Sequence, residues 1–172
     1  MVKKTRDLVI VAMCAAMLIG AQLALSGIAG VEIVTPLLLC FAYSFGPWRG
    51  CAIATLFSLL RCFVFGFHIN ILILYLIYFN AFALFFGWLG KIKINLNKAF
   101  LTTLVVVFAI LFTIGFTFID VAITSIMYGF QGSGFTTYLI ASLSTMGVQL
   151  ISVAVTVSVL FLPLTTLIKR II

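Results

Sequence analysis

Long apolar stretches, interrupted at a few points by charges and turn signals, dominate the chain. No charged residue occurs in 8–31, 33–48, 50–60, 62–90, 99–119 or 121–168. A helix of about 20 apolar residues crosses the roughly 30 Å of bilayer hydrocarbon. Turn signals divide the longer stretches, among them Gly46-Pro47, Gly66 and the glycine-rich segment 129–137. The pattern predicts six helices, at 8–25, 33–46, 51–66, 70–89, 99–122 and 137–167.

The second predicted helix is short, so we expect it to be tilted or to span the membrane incompletely. Six crossings would place both chain termini on one side of the membrane. Nine of the ten basic residues then fall on that side. They are Lys3, Lys4, Arg6, Arg49, Lys91, Lys93, Lys98, Lys169 and Arg170. Because Lys and Arg accumulate on the cytoplasmic face, we predict an all-α integral membrane bundle of six transmembrane helices with cytoplasmic N and C termini, forming one domain over residues 1–172.

Composition supports this interpretation. Hydrophobic residues make up 65% of the chain and charged residues 8%, and only three residues are acidic. Such a chain cannot cover a soluble globule with polar groups, which argues against a soluble enzyme, a disordered protein and a nucleic-acid-binding protein. We expect a multi-pass protein of a prokaryotic plasma membrane. Cys14, Cys40, Cys51 and Cys62 lie in apolar stretches, so we interpret them as buried small hydrophobes.

Polar residues concentrate in the predicted outer half of helices 3 to 6. Helix 5 carries Thr113, Thr117, Asp120 and Thr124 on one face, and helix 6 carries Ser142, Thr145, Gln149, Ser152 and Thr156 on one face. The inner halves are almost purely apolar. This distribution predicts a pocket that opens to the outside and is closed below. The candidate substrate-binding residues are Arg61, His68, Asn70, Tyr75, Tyr78, Asn80, Asp120, Thr145 and Gln149.

Each of these features has a structural alternative. Ser and Thr at helix interfaces often serve close packing, with interhelical bonds of about 0.6 kcal/mol. Arg61, inside helix 3, costs roughly 2.5–3.5 kcal/mol to insert. We expect Asp120 or Glu32 to pair with Arg61, and a ligand carboxylate or phosphate is the other candidate partner. His68 fits an interfacial residue better than a catalyst.

Helix 1 carries small residues at every fourth position: Ala12, Ala16, Gly20 and Ala24. A smooth ridge of this kind lets another helix approach closely. Packing inside the bundle and docking to a membrane partner both explain it.

Motifs for catalysis and energy coupling are absent from the sequence. It contains no HExxH, no GxSxG and no Walker A motif. We therefore expect neither an enzyme nor a metal or organic cofactor, and energy for any uphill transport must come from another protein.

Several segments resemble the substrate-binding S components of energy-coupling-factor (ECF) vitamin transporters. The first is the basic N-terminus followed by the AxxxA pair Ala12 and Ala16. The second is VEIVTPL at 31–37 followed by FGPWRG at 45–50. The third is the plan of six helices at this chain length, so the resemblance covers nearly the whole sequence.

This resemblance implies high-affinity binding of a vitamin or related micronutrient from outside. It places the pocket near the outer surface, among helices 4 to 6 and beneath the 1–2 and 3–4 loops. It also implies that Ala12, Ala16 and Gly20 dock on a membrane scaffold subunit driven by a pair of ABC-type ATPases. S components are thought to topple in the bilayer and so carry the pocket inward.

The residues indicate the ligand only broadly. Tyr75 and Tyr78 suit stacking on a flat ring, Asn80 and Gln149 suit amides or ring nitrogens, and Arg61 suits an anionic group. A planar heterocycle with a negative or carbonyl group would match. The alternatives are a structural membrane protein of the cell-shape scaffold type, which needs no ligand, and a lipid-modifying enzyme, for which the acid–base or metal residues are missing.

Overall fold

The computed structural model describes residues 5–28, 32–92 and 97–171. Lys3, Lys4, Lys93, Gly30 and Val31, on which parts of the predicted layout and the family resemblance rest, lie outside these residues. The described chain is all-helical. The helices are α1 (Thr5–Ala24), α2 (Val34–Phe45), α3 (Pro47–Phe65), α4 (Ile69–Lys91), α5 (Lys98–Tyr128) and α6 (Ser133–Ile171).

Five of these helices are long and apolar enough to cross a membrane, and α2 is the exception. The 12 residues of α2 cover about 18 Å at 1.5 Å per residue. Eight of the 12 are buried, because α2 packs against α1, α3, α4 and α6. The short helix predicted from the sequence is therefore an interior element of the bundle.

Basic residues from several helices meet at one end of the bundle, which we call the basic end. At the start of α1 and of α3, Asp7 and Arg49 form an ion pair of 2.8 Å. Lys169 near the end of α6 lies over the ring of Tyr43 in α2, with its ammonium 5.1 Å from the ring centroid. The two termini of the described chain thus lie at the same end of the bundle.

Glycines let α4 approach the α2–α3 turn closely at the basic end. Gly46 forms this turn with a φ of 87°, a conformation that favours glycine. A Cβ on Gly87 would lie 2.5 Å from the backbone of Pro47, and one on Gly90 would overlap the carbonyl oxygen of Tyr43. Any side chain at these positions would push the two segments apart.

Several predicted boundaries are wrong, and the largest difference is at the end of α5, which extends to Tyr128 and not to the predicted 122. Helix α3 begins at Pro47, four residues before the prediction at 51, because a proline in the first helical turn needs no N–H acceptor. The predicted loop 129–137 is reduced to a short turn containing Gly129 and Gly132, both with positive φ. Thr136 and Thr137 instead belong to α6 and donate hydrogen bonds to backbone oxygens one turn earlier.

Phenylalanine and cysteine side chains make up part of the core. Phe57, Phe82, Phe86 and Phe161 are fully buried. All four cysteines are free thiols, with Cys14, Cys40 and Cys62 buried and Cys51 half-buried. They fill space in the bundle, in agreement with their apolar surroundings in the sequence.

Candidate ligand-binding site

A cavity of about 240 Å³ lies toward the end of the bundle opposite the basic end, which we call the cavity end. Its volume is several times the roughly 30 Å³ that a water molecule occupies in the liquid, so it has room for a small organic molecule. The end of α1, the α1–α2 connection, α4, α5 and α6 all contribute to the lining. The lining residues are Gln22, Leu25, Ser26, Ile28, Glu32, Ile33, Val34, Thr35, Tyr75, Tyr78, Phe79, Thr113, Phe116 and Gln149.

Glu32 is held in the cavity wall by both its backbone and its side chain. Its N–H donates to Oγ of Ser152 at 2.8 Å, and its carbonyl accepts from Oγ1 of Thr156 at 3.4 Å. The hydroxyl of Thr35 donates to Oε2 of Glu32 at 3.0 Å. Burial raises the pKa of the Glu32 carboxyl, and the hydrogen bond from Thr35 acts in the opposite direction. These bonds fix the α1–α2 connection against α6.

Aromatic rings form one wall of the cavity. Tyr75 and Phe79 meet edge to face with centroids 4.9 Å apart, and Tyr78 meets Phe116 at 4.8 Å. Further rings pack behind this wall, in the sequence Tyr78, Phe82 and Phe86 along α4 and around Phe112 of α5. These tilted and edge-to-face ring pairs are favourable and fill the space behind the wall. The cavity is therefore closed toward the basic end by a block of rings.

Arg61 does not form the predicted salt bridge. Its guanidinium lies 4.7 Å from the ring centroid of Tyr75 and 5.5 Å from that of Phe65. Within the described chain, neither Glu32 nor Asp120 lies within ion-pair distance of it, and its Nε and Nη1 are buried without a hydrogen-bond partner. The expected carboxylates have other partners, because Glu32 binds Thr35 and Asp120 binds Tyr138. Arg61 thus touches a lining residue without lining the cavity itself.

Asp120 belongs to a separate groove between α5 and α6. The hydroxyl of Tyr138 donates to Oδ2 of Asp120 at 2.8 Å, and Thr124 donates to Oδ1 at 3.3 Å. This groove, of about 270 Å³, is also lined by Thr145 and Gln149. Gln149 and Phe116 line both the groove and the cavity, so the two are neighbours, and Asp120 lines the groove alone.

The remaining polar candidates lie elsewhere. Asn80 joins α3 to α4, because its Oδ1 accepts from Thr55 at 3.0 Å and its Nδ2 donates to the carbonyl of Leu76 at 2.8 Å. His68 is exposed at the residue before α4. Asn70 is half-buried in the first turn of α4, and its Oδ1 has no hydrogen-bond partner. Of the predicted candidates, the structure therefore brings Tyr75, Tyr78 and Gln149 together in the cavity.

Several lining residues were not identifiable from the sequence as part of the site. Gln22 is an isolated amide in an apolar helix, and whether it lines the cavity depends on where α1 ends. Glu32 and Thr35 enter through the path of the α1–α2 connection, which hydrophobic periodicity does not specify. Thr113 is part of the polar face of α5, and that face was the available signal for it.

The small-residue face of α1 points away from the bundle. Ala12, Ala16 and Gly20 are exposed, whereas Ala15 and Leu18 on the opposite face are fully buried. A Cβ on Gly20 would have no neighbouring atom within 4 Å. The ridge is therefore available to a partner and does not serve packing within the described bundle.

In the described part of the chain, no three His, Cys, Asp or Glu side chains form a cluster. No family model, curated protein or solved structure matches the chain. Function must therefore be inferred from the geometry of the cavity and from the residues around it.

Proposed function

We propose that this protein is the membrane-embedded, substrate-binding subunit of an uptake system for a vitamin or related small micronutrient. The observation that supports this function is the cavity of about 240 Å³, which has polar lining groups from α1, α5, α6 and the α1–α2 connection. A bundle built only for structure has no need for a polar cavity among apolar helices, because each buried polar group without a partner costs about 1–3 kcal/mol.

The distribution of polar groups favours binding over conduction. A channel needs a hydrated or polar lining across the whole membrane. Here the rings of Phe82, Phe86 and Phe112 fill the space between the cavity and the basic end. A ligand that enters from the cavity end would stop at this aromatic block, and its release on the other side would need a movement of the subunit.

Energy for that movement would come from partner proteins. The chain has no Walker A motif, so a separate ATPase would hydrolyse ATP. The exposed face with Ala12, Ala16 and Gly20 provides a smooth surface for a membrane scaffold subunit that transmits the motion. This arrangement corresponds to the S component of an ECF transporter, with the scaffold and a pair of ABC-type ATPases as partners, in a plasma membrane.

The function is tested by identifying what the protein carries. Wild-type protein, Gln149→Ala and Thr103→Ala would be purified in mild detergent from cells grown in rich medium, then denatured, and the released molecules identified by mass spectrometry. We expect a stoichiometric small molecule from the wild type and from Thr103→Ala, whose threonine is exposed on α5, and a reduced amount from Gln149→Ala. If the wild type carries no compound and no member of a micronutrient panel raises its unfolding temperature, the proposal is wrong.

A structural membrane protein without a ligand is the second candidate, and one observation favours it. The hydroxyls of Thr113, Thr145 and Thr156 each donate to a backbone oxygen four residues earlier in the same helix. Threonines bonded in this way satisfy their own polar groups and suit helix packing. This candidate predicts that the cavity stays without a ligand in every growth medium.

A further inference from the structure

We propose that the cavity binds a small planar cation, a ring bearing a protonated amine or amidine, through the carboxylate of Glu32 and the amide oxygen of Gln22. This inference rests on the proposed function and specifies its substrate class. It differs from the sequence-based expectation of an anionic ligand at Arg61.

The charge of the lining favours a cation. Glu32 is the one ionisable acid among the described lining residues, and no Lys, Arg or His is among them. Arg61 lies against the ring of Tyr75 and does not line the cavity. An anionic ligand would therefore meet the carboxylate of Glu32 with no basic partner, and a buried pair of like charges is strongly unfavourable.

Two of the lining residues, Gln22 and Glu32, provide hydrogen-bond acceptors for a ligand. Within the described chain, Thr35 is the hydrogen-bond partner of the Glu32 carboxylate and engages Oε2, which leaves Oε1 for a ligand. Oε1 of Gln22 is buried and has no hydrogen-bond partner. Gln22 and Glu32 both line the cavity, so a ligand carrying several N–H donors would satisfy both residues.

The aromatic wall selects a flat cation. The lining includes the rings of Tyr75, Tyr78, Phe79 and Phe116. Such rings stack on planar ligands, and their faces attract positive charge. Ser152 and Thr156 hold the backbone of Glu32, and the hydroxyl of Thr35 holds its carboxylate, so the side chain loses little freedom when a ligand binds.

Benzamidine, benzamide and benzoate test this assignment, since they are planar probes of similar shape that carry positive, neutral and negative charge. Binding of each to detergent-purified protein would be measured by calorimetry and by the shift in unfolding temperature. We expect benzamidinium to bind at least roughly tenfold more tightly than benzoate. Glu32→Gln should abolish this preference, and Glu32→Asp should retain part of it.

Asp120→Asn is the matched control, because it neutralises a carboxylate in the neighbouring groove that does not line the cavity. It should leave the preference for benzamidinium unchanged. Tighter binding of benzoate, or an unchanged preference in Glu32→Gln, would overturn the cationic substrate class while leaving the proposed function intact. Failure of all three probes to bind would overturn the cavity as a ligand site, and an empty protein in the mass-spectrometry experiment would then contradict the uptake function as well.

Discussion

The guanidinium of Arg61 lies over the ring of Tyr75, with 4.7 Å between its central carbon and the ring centroid. The cavity lining also includes the half-buried Glu32, and within the described chain its carboxylate and Arg61 do not pair. Tyr75 lines the cavity, so Arg61 acts on the site through the position of this ring. Arg61 thus contacts the rings of Phe65 and Tyr75, while two of its three side-chain nitrogens have no hydrogen-bond partner.

Replacing Arg61 with methionine should leave the protein equally or more stable. A cation–π contact contributes about 0.5–2 kcal/mol, whereas each buried donor without a partner costs about 1–3 kcal/mol. Two such donors, Nε and Nη1, disappear in Arg61→Met. Arg49→Met is the control, and it should change stability in the opposite direction. It removes the ion-pair partner that lies 2.8 Å from the buried Asp7, so it should destabilise the protein by about 1–3 kcal/mol. Thermal unfolding in detergent measures both, and a clear loss of stability in Arg61→Met would contradict this account.

Alanine at Gly87 or Gly90 should destabilise the basic end. A Cβ on Gly87 would lie 2.5 Å from the backbone of Pro47, and one on Gly90 would overlap the carbonyl oxygen of Tyr43. Backbone atoms cannot move aside as a flexible side chain can. We expect a loss of about 1–3 kcal/mol, as for other overpacked sites. Gly115→Ala is the control, since a Cβ there has no neighbour within 4 Å, and its better helix propensity should stabilise slightly. Equal unfolding temperatures for all three variants would rule out the close approach of α4 to the turn.

The helices were predictable because each apolar stretch is long and its ends carry charges or glycines. The short length of α2 was predicted from its short apolar stretch, but its position inside the bundle was not. An apolar sequence pattern does not distinguish a helix that faces lipid from one that faces protein. The start of α3 at Pro47 and the turn at Gly129 were mispredicted because Pro and Gly mark turns without giving their length.

The site was predictable only where it follows helix periodicity. Tyr75 and Tyr78 share one face of α4, and Gln149 lies on the polar face of α6, so their spacing identifies them. Glu32 lines the cavity through a connection whose path depends on hydrogen bonds to Ser152 and Thr156, more than a hundred residues away. Asn80 was selected by its chemistry, but its partner Thr55 lies on another helix, and one sequence does not show such a pairing.

Gln149 and Asn80 should respond differently to alanine substitution. Gln149→Ala removes a cavity-lining amide, so it should weaken benzamidinium binding by roughly threefold to tenfold at nearly unchanged stability. Asn80→Ala removes bonds to Thr55 and to the carbonyl of Leu76, so it should destabilise by about 1–2 kcal/mol and leave the affinity of folded protein unchanged. Calorimetry and thermal unfolding on both variants separate the two roles. The reverse pattern would mean that Asn80 contacts the ligand.

Stability and binding should depend on pH in opposite directions through Glu32. Burial raises the pKa of this carboxyl, so its contribution to the stability of ligand-free protein is present below the usual carboxyl pKa and is lost as pH rises through the raised value. Benzamidinium needs the ionised carboxylate, so its affinity should rise over the same range. Unfolding temperature and affinity would be measured across that range for wild type and Glu32→Gln. If both proteins give the same pH profiles, Glu32 is not the titrating group.

Leucine at Ala12 and Ala16 should block assembly with a scaffold subunit without harming the isolated protein. Both alanines are exposed on α1, so larger side chains there meet no part of the described bundle, and unfolding temperature and benzamidinium binding should stay unchanged. Co-purification of a membrane scaffold and its ATPases should be lost, because the added side chains hold the partner helix away. Ala15→Leu is the control: Ala15 is 0% exposed on the same helix, so overpacking should lower stability by about 1–3 kcal/mol. Retained assembly in the double variant would mean that the partner binds another face of the protein.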